Sequence, residues 1–161
     1  LLSLEKEFKS LKHGFLKKGI EFAIDGIEPG SLRNYLEIEM NYVAERHKAG
    51  ATFFQKLGGF SPTLGIIGTV LGLVHALGTI SDASKMASSI AGAFIATLWG
   101  ISMANLLFLP IADKLRHRNE EEALVLEIIM EGVSSLASGE NPRMIRAKLL
   151  GFLRPTAQKE K

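Results

Sequence analysis

Two long stretches of the chain contain no Asp, Glu, Lys or Arg. The first covers residues 57–81 and the second covers residues 86–112, with only Asp82 and Lys85 as charges between them. A helix needs about 20 apolar residues to cross the hydrocarbon core of a bilayer. The pattern therefore predicts two transmembrane helices joined by a short loop.

Outside these stretches, apolar and charged residues follow the three- and four-residue spacing of amphipathic helices. Residues 1–13 and 15–25 each have one apolar face, and Ser31 is placed to cap a third helix over about residues 32–55. The sequence contains no strand-like alternation of any length. The predicted fold class is an all-α membrane protein, with two transmembrane helices and flanking cytoplasmic amphipathic helices.

Proline, glycine and small polar residues set the predicted boundaries. Ser61 and Pro62 are suited to the start of the first span, Pro110 predicts a kink near the end of the second, and Asn141 is suited to start a last short helix. The predicted segments are cytoplasmic helices at 1–56, a transmembrane helix at 57–81, an extracytoplasmic loop at 82–85, a transmembrane helix at 86–112, cytoplasmic C-terminal helices at 113–153 and a disordered tail at 154–161.

Basic residues lie at the outer ends of the hairpin and predict its orientation. The loop between the spans has one Lys85 beside one Asp82, whereas the outer ends carry Arg46, Lys48, Lys56, Lys114, Arg116 and Arg118. Cytoplasmic segments are enriched in Lys and Arg. Both ends of the chain are therefore expected to face the cytoplasm. Because the N-terminus lacks an initiator Met and is already amphipathic, we also expect that further residues precede it.

Composition excludes several classes of function. The net charge of +2 is too small to favour nucleic-acid binding. The chain has no cysteine, and its four histidines lack the spacing of metal ligands. No combination of nucleophile, base and acid is present, so we expect neither an enzyme nor a bound cofactor.

Small residues recur on one side of each span and predict close helix packing. In lipid, small residues let two helices approach each other. The positions assigned to this packing are Gly65, Gly68, Gly72, Gly100 and Ala104. Packing alone is sufficient to explain these residues.

Thr69 and Thr97 lie mid-span on the small-residue sides and allow two interpretations. Each hydroxyl could simply bond the carbonyl four residues back in its own helix, or the pair could line a polar path. Neither span contains a carboxylate, which an ion relay through lipid normally requires. If the chain conducts ions, the carboxylate must come from another subunit or from upstream residues. Trp99 is expected to pack against another helix, and Asn105 to hydrogen-bond across helices.

Many segments resemble the MotA family of flagellar stator subunits, within the MotA/TolQ/ExbB group of proton channels. The likeness covers nearly the whole chain and implies two further spans upstream. The segments that resemble the third and fourth family spans are 62–78, 93–100, 104–106 and 109–115, and those that resemble cytoplasmic parts are 1–5, 15–19, 45–51, 131–132 and 139–143.

The resemblance implies a flagellar stator ion-channel subunit in the bacterial inner membrane. Five such subunits would surround two MotB-like partners, whose transmembrane helix supplies the ion-carrying Asp. Transported H⁺ or Na⁺ would be cargo rather than cofactor. The rotor protein FliG and membrane lipid would be the other contacts, and nucleic acid would not be a partner.

The same resemblance assigns roles to individual residues. Thr69 and Thr97 fall on the ion pathway, and Ala96 stands where sodium-type relatives often have another Thr, which favours H⁺. Pro62 and Pro110 fall on prolines linked to conformational coupling. The rotor contact falls near Lys6, Glu7 and Lys12, and Trp99 replaces the more usual Tyr.

Two other functions stay open from the sequence. A TolQ/ExbB-like subunit would energise an outer-membrane process, against which stand the segments 75–78 and 141–143. A non-conducting scaffold would use the hairpin only as an anchor and would not depend on Thr69 or Thr97.

Overall fold

The computed structural model describes residues 11–153, and every regular element in that range is helical. The elements are α1 (Gly14–Ile24), α2 (Pro29–Gly78), α3 (Ala83–Ser102), a π-helical turn (Met103–Phe108), α4 (Leu109–Ala137) and α5 (Pro142–Gly151). The predicted all-α fold is confirmed. Most of the helix predicted over residues 1–13, and the tail 154–161, lie outside the described residues.

The chain divides into two compact units. Residues 46–118 form a hairpin unit, and the described residues on either side, 11–45 and 119–153, form a flanking unit. The apolar windows of α2 and of the run Ala83–Ala137 are long enough to cross a membrane, yet only 11% and 6% of their residues are buried. Core helices of soluble proteins bury their apolar face. The exposed apolar surface is therefore that of a membrane protein.

The start of α2 differs from the prediction. The helix begins at Pro29, and Glu28 rather than Ser31 takes the capping role. The Glu28 carboxylate accepts the Ser31 hydroxyl at 2.8 Å and the Ser31 N–H at 2.9 Å. These hydrogen bonds hold the pKa of the Glu28 carboxyl below its ordinary value. The assignment of Ser31 as the N-cap is wrong because the helix already begins at Pro29, and the Glu28 carboxylate accepts the Ser31 N–H of its first turn.

Helix α2 also continues without a break through residues 58–62, where the sequence predicted a helix start. Pro62 lies inside the helix, and Ser61 Oγ donates to the Leu57 carbonyl at 2.8 Å instead of capping. A Cβ at Gly58 would lie 2.6 Å from Leu109 Cδ2, so this glycine packs against α4. Membrane helices tolerate proline and glycine where neighbouring helices and Ser side chains support the backbone. Where the bilayer begins on α2 stays a prediction.

The turn between the two long helices lies three residues earlier in the chain than predicted, at residues 79–82. Helix α2 ends at Gly78 and α3 begins at Ala83, so residues 83–85 of the predicted loop form the first turn of α3. Asp82 caps α3 by accepting the Lys85 N–H at 3.1 Å, and the Lys85 ammonium lies 3.2 Å away. The backbone hydrogen bond, then the lysine side chain, lowers the pKa of Asp82.

The irregularity expected near Pro110 takes the form of a π-helical turn just before it. The Leu109 N–H bonds the Ala104 carbonyl, five residues back instead of four. Proline has no N–H to give to the carbonyl four residues back, and a π-turn shifts the hydrogen-bond register by one residue. The chain therefore remains helical through Pro110. The kink expected at this proline stays a prediction.

The flanking unit has its own apolar core, built where α1, α2 and α4 meet. Leu32 and Leu36 are completely buried, and a Cβ at Gly19 would lie 3.1 Å from Val133 Cγ1. The other core residues are Phe15, Ile20, Ala23, Leu126 and Met130. Helix α5 begins as predicted, because Asn141 Oδ1 accepts the Arg143 N–H at 2.9 Å.

An ion-pair network joins α2, α4 and α5 in this unit. Glu131 is the centre, with Arg33 Nη1 at 2.9 Å and Lys148 Nζ at 3.4 Å. Lys148 also contacts Glu140 at 2.7 Å, which raises the pKa of the lysine. Burial raises the pKa of the Glu131 carboxyl, but the hydrogen bonds and charges of Arg33 and then Lys148 outweigh it and lower the pKa.

Glu131→Gln is expected to destabilise the flanking unit at neutral pH by about 1–2 kcal/mol, because the variant leaves Arg33 without its carboxylate. A carboxyl with a lowered folded-state pKa stabilises the fold above its ordinary value of about 4.3, and this contribution is lost as the pH falls through the folded-state pKa. The gap in thermal midpoint between wild type and variant should therefore be largest at pH 7 and close at about pH 3.

Thermal unfolding of the full-length protein in detergent, followed by circular dichroism, measures this gap. Glu127→Gln is the matched control, because Glu127 is exposed on the same helix. An equal loss of stability in both variants, or a gap that does not depend on pH, would contradict the proposed role of the ion pairs.

Candidate functional site

The small residues of α2 and α3 meet in the hairpin unit with almost no side chain between the two backbones. A Cβ on Gly65 would lie 3.0 Å from the Ala96 carbonyl oxygen and 3.1 Å from Thr97 Cα. A Cβ on Gly100 would lie 2.6 Å from the Ser61 carbonyl oxygen and 2.9 Å from Gly65 Cα. These helices can approach so closely only because both positions are glycine.

The same contact continues along α2. A Cβ on Gly68 would lie 2.8 Å from Ala96 Cβ, and one on Gly72 would lie 2.7 Å from Ala93 Cβ. Ala104 is buried at the π-turn. Gly92, by contrast, has open space around it. The five residues assigned to helix packing are therefore in close contact or buried, and Gly92 is outside this face.

The hydroxyl groups of Thr69 and Thr97 contact each other across this close approach. Thr69 Oγ1 also lies 3.1 Å from the Gly65 carbonyl oxygen and 3.0 Å from that of Ala93, and Thr97 Oγ1 lies 3.4 Å from that of Gly65. Both threonines are half-buried. Thr69 thus bonds its own helix, as the first interpretation predicted, and also the neighbouring helix, while the polar path stays a prediction.

The chemistry of this cluster follows from counting its protons. Each hydroxyl has one proton to donate and can accept through its oxygen. If one threonine donates to the other, a single proton remains for the carbonyls of Gly65 and Ala93. Through its hydroxyls the cluster can therefore donate a hydrogen bond to a bound carboxyl group, or accept one from it. The hydroxyl oxygens can also coordinate a cation. It cannot store charge, because a hydroxyl does not titrate at physiological pH.

The other residues predicted for the ion pathway, the conformational coupling and the rotor contact do not form one cluster with the threonine pair. Ala96 packs its methyl group against Gly68 and presents no side-chain oxygen to the threonine pair. Pro62 is half-buried inside α2, and Pro110 is exposed in the first turn of α4. Lys12 is exposed in the flanking unit. Lys6 and Glu7 fall outside the described residues.

Two expectations for the second span are not met within the described chain. Trp99 is 60% exposed instead of packed against a helix. It lines an open crevice of about 370 Å³ together with Ser61, Gly65 and Gly100. Asn105 donates to the Ile101 carbonyl of its own helix at 2.9 Å, so the expected cross-helix bond is wrong here. One N–H of the Asn105 amide is thus satisfied by a carbonyl of its own helix.

Sequence reasoning missed the backbone part of the site. The carbonyl of Ala93 accepts from Thr69, but a carbonyl gives no signal in the sequence. It also missed Arg116 Nη2 donating to Gln55 Oε1 at 2.9 Å, a contact between residues 61 positions apart. Among residues 11–153, no group of three or more His, Cys, Asp or Glu could hold a metal ion.

Comparison with known proteins gives consistent matches. A curated relative, Motility protein A of Borreliella burgdorferi, is 43% identical over 96% of this chain and 60% of its own length. A solved structure of C. jejuni MotAB matches with a TM-score of 0.89 at 33% identity, covering 96% of this chain and 60% of the other. The flagellar MotAB stator complex of Bacillus subtilis matches with a TM-score of 0.87 at 34% identity, covering 98% and 63%.

The chain thus spans about 60% of the length of the relatives that it matches. The sequence profile of the MotA/TolQ/ExbB proton channel family matches residues 7–128, which is most of the chain and includes both apolar helices. The chain therefore belongs to the MotA/TolQ/ExbB proton channel family.

Proposed function

We propose that this chain is part of a flagellar stator subunit, which couples ion flow across the membrane to torque on the rotor. The observation that carries the proposal is the pair of threonine hydroxyls, Thr69 and Thr97, held between two apolar segments, 57–81 and 86–112, that contain no carboxylate. The similarity to Motility protein A and to the MotAB structures supports this reading over other members of the family.

In the proposed mechanism, a MotB-like partner supplies an intramembrane Asp beside the threonine pair. The hydroxyls of Thr69 and Thr97 solvate the ionised carboxylate or the arriving ion. Neutralisation of the Asp removes a charge from lipid surroundings and changes which position the partner helix favours. Such a local charge change biases a two-state element, and successive changes would rotate a ring of these subunits around the partner.

H⁺ is proposed as the transported ion in preference to Na⁺. A proton needs only the partner's carboxylate and a hydrogen-bonding neighbour. A sodium ion needs several oxygen ligands once its water is removed. Ala96 offers a methyl group at the position where another hydroxyl would add an oxygen, which supports the choice of H⁺. No further cofactor is proposed.

The proposed assembly has five copies of this subunit around two MotB-like partners in the bacterial inner membrane. Lipid would cover the apolar side chains of α2 and α3 that neighbouring copies, the partner and upstream spans leave exposed, and both ends of the chain would face the cytoplasm. The rotor protein FliG would contact the flanking unit, with Lys6, Glu7 and Lys12 as the proposed contact region. The exposure of Lys12 is compatible with this role.

Deletion of the full-length gene in its flagellated source tests the proposal. We expect cells with normal filaments that do not swim, and swimming restored by a wild-type copy of the gene. Unimpaired swimming together with loss of an energised outer-membrane process would replace the proposal with a TolQ/ExbB-like function. Unimpaired swimming without any transport defect would favour a scaffold.

A further inference from the structure

A ridge of exposed apolar side chains runs along the part of α2 that belongs to the flanking unit. Tyr35 is 44% exposed, Ile38 is 50% exposed and Tyr42 is 76% exposed. Their spacing of three and four residues places them on one face of the helix. Leu32 and Leu36, on the side of α2 that faces the core, are completely buried. The ridge is therefore a second apolar surface, separate from the one that α2 buries in its own fold.

The flanking unit also has an open apolar groove, formed by α1, α4 and α5. It consists of two adjoining hollows of about 460 Å³ and 330 Å³. The side chains that line both hollows are Ile128, Leu136, Ile145 and Leu149. Among the described residues, none of α2 lines either hollow. The ridge and the groove are therefore different surfaces of the same unit.

A ring of identical subunits requires two such surfaces on each copy. In a closed cyclic ring, every contact joins one surface of a subunit to a different surface of the next subunit. Aromatic side chains, which form two thirds of the ridge, are enriched at protein interfaces. A further segment of the full-length protein would cover either the ridge or the groove, whereas a neighbouring copy buries both surfaces in one contact. A second copy of the chain is therefore the occupant that accounts for both surfaces.

The borders of the two surfaces carry opposite charges. One side of the ridge has the exposed carboxylates of Glu37 and Glu45, which lie on α2 within the flanking unit. Arg146 lines the groove, and Arg143 is exposed about one turn before it on α5. Opposite charges at the rim of a contact favour one orientation of the two surfaces over the others. The charges therefore support a contact between the ridge of one copy and the groove of another.

We propose that the ridge of Tyr35, Ile38 and Tyr42 in one subunit docks into the groove between α1, α4 and α5 of the neighbouring copy. The inference rests on the ring of subunits proposed above, and it names the surfaces through which the neighbours meet. Both surfaces belong to segments proposed to be cytoplasmic, so lipid does not compete for them. Each subunit then contributes its ridge to one neighbour and its groove to the other, which closes the ring.

Disulfide cross-linking of the full-length protein in complex with its partner subunit tests this contact. The chain has no cysteine, and any cysteine elsewhere in the complex is first replaced by serine. Tyr35→Cys, Ile38→Cys and Tyr42→Cys are each combined with Leu149→Cys, and the membranes are treated with a mild oxidant. Because a disulfide requires Cα atoms within about 7 Å of each other, we expect at least one pair to link neighbouring chains into a ladder of oligomers on a non-reducing gel.

Ala147→Cys in place of Leu149→Cys is the matched control, because Ala147 is exposed on the same helix and lines neither hollow. The productive pair should give at least about fivefold more cross-linked chain than this control. Single-cysteine variants should stay unlinked, since identical residues of neighbours do not meet in a ring.

Four results would overturn the proposal: no ladder from any of the three pairs, an equal ladder from the control pair, a disulfide confined to one chain, or a ladder from a single cysteine. The size of the detergent-solubilised complex is measured on the same samples. A complex of normal size without a ladder would overturn this contact and leave the proposed assembly standing, whereas a monomeric protein would overturn both. Neither measurement involves swimming or ion flux, so failure of the contact is distinguishable from failure of the stator function.

Discussion

Thr97→Ala is expected to abolish swimming while the protein stays at its normal level in the membrane. The change removes one of the two hydroxyls in the proposed ion path and leaves the single Thr69 proton to bond the carbonyl of Gly65 or of Ala93. A hydrogen bond to a charged group contributes about 1.5–3 kcal/mol. Loss of one such bond from the ion-bound state corresponds to a fall in ion flux of roughly 10- to 100-fold.

Proton uptake by vesicles that contain the full-length protein and its partner measures this fall, alongside swimming in soft agar. Thr97→Ser keeps a hydroxyl at the same position and should retain most of the flux. Thr79→Ala is the matched control, since among residues 11–153 the Thr79 hydroxyl bonds only the nearby carbonyls of His75 and Ala76. Normal swimming of Thr97→Ala at normal protein level would leave Thr97 with a purely structural role and would favour an anchoring function.

Gly100→Ala should have the second large effect, by separating the two helices that hold the threonine pair. The added Cβ would lie 2.6 Å from the Ser61 carbonyl oxygen and 2.9 Å from Gly65 Cα. Both neighbours are backbone atoms and cannot rotate away. Overpacking of this kind costs about 1–3 kcal/mol. We expect a lower thermal midpoint and loss of swimming, even though alanine favours a helix more than glycine does.

Thermal unfolding of the purified complex and the swimming assay together test this prediction. Gly92→Ala is the control, because a Cβ there would meet no atom within 4 Å. It introduces the same methyl group into the same helix and should be neutral or slightly stabilising. A Gly100→Ala protein with wild-type stability and swimming would mean that the contact between α2 and α3 is not needed for function.

Several sequence predictions failed at the helix boundaries, for reasons that differ from one boundary to the next. Residues 58–62 contain two glycines, a serine and a proline, which by themselves predict a helix end and a new start. In the structure they lie inside α2, where Gly58 packs against Leu109 and Ser61 bonds the Leu57 carbonyl. Residues that by themselves favour a helix end are thus kept helical because they pack against another helix. Ser31 is not the N-cap because the helix already begins at Pro29 and Glu28 accepts the Ser31 N–H.

The side chains of the candidate site were predictable from the sequence, but their mutual contact and the backbone carbonyls of the site were not. Thr69, Thr97 and the small residues could be named from the sequence, because spacing in a helix places them on one face. Their mutual contact could not, because it depends on the rotation and separation of two helices. The carbonyls of Gly65 and Ala93 could not be named either, since every residue has a carbonyl and only position distinguishes them.

The sequence by itself determined that this chain is helical, that it carries two segments able to cross a bilayer, and that these segments hold hydroxyls without carboxylates. Those properties depend on composition and on spacing along one helix, so local physical chemistry is sufficient. The tertiary structure alone decided that glycine faces bring the Thr69 and Thr97 hydroxyls together, and that Gln55 holds Arg116 across two helices. These contacts join residues 28 and 61 positions apart, and only the packing of one helix against another fixes their distance.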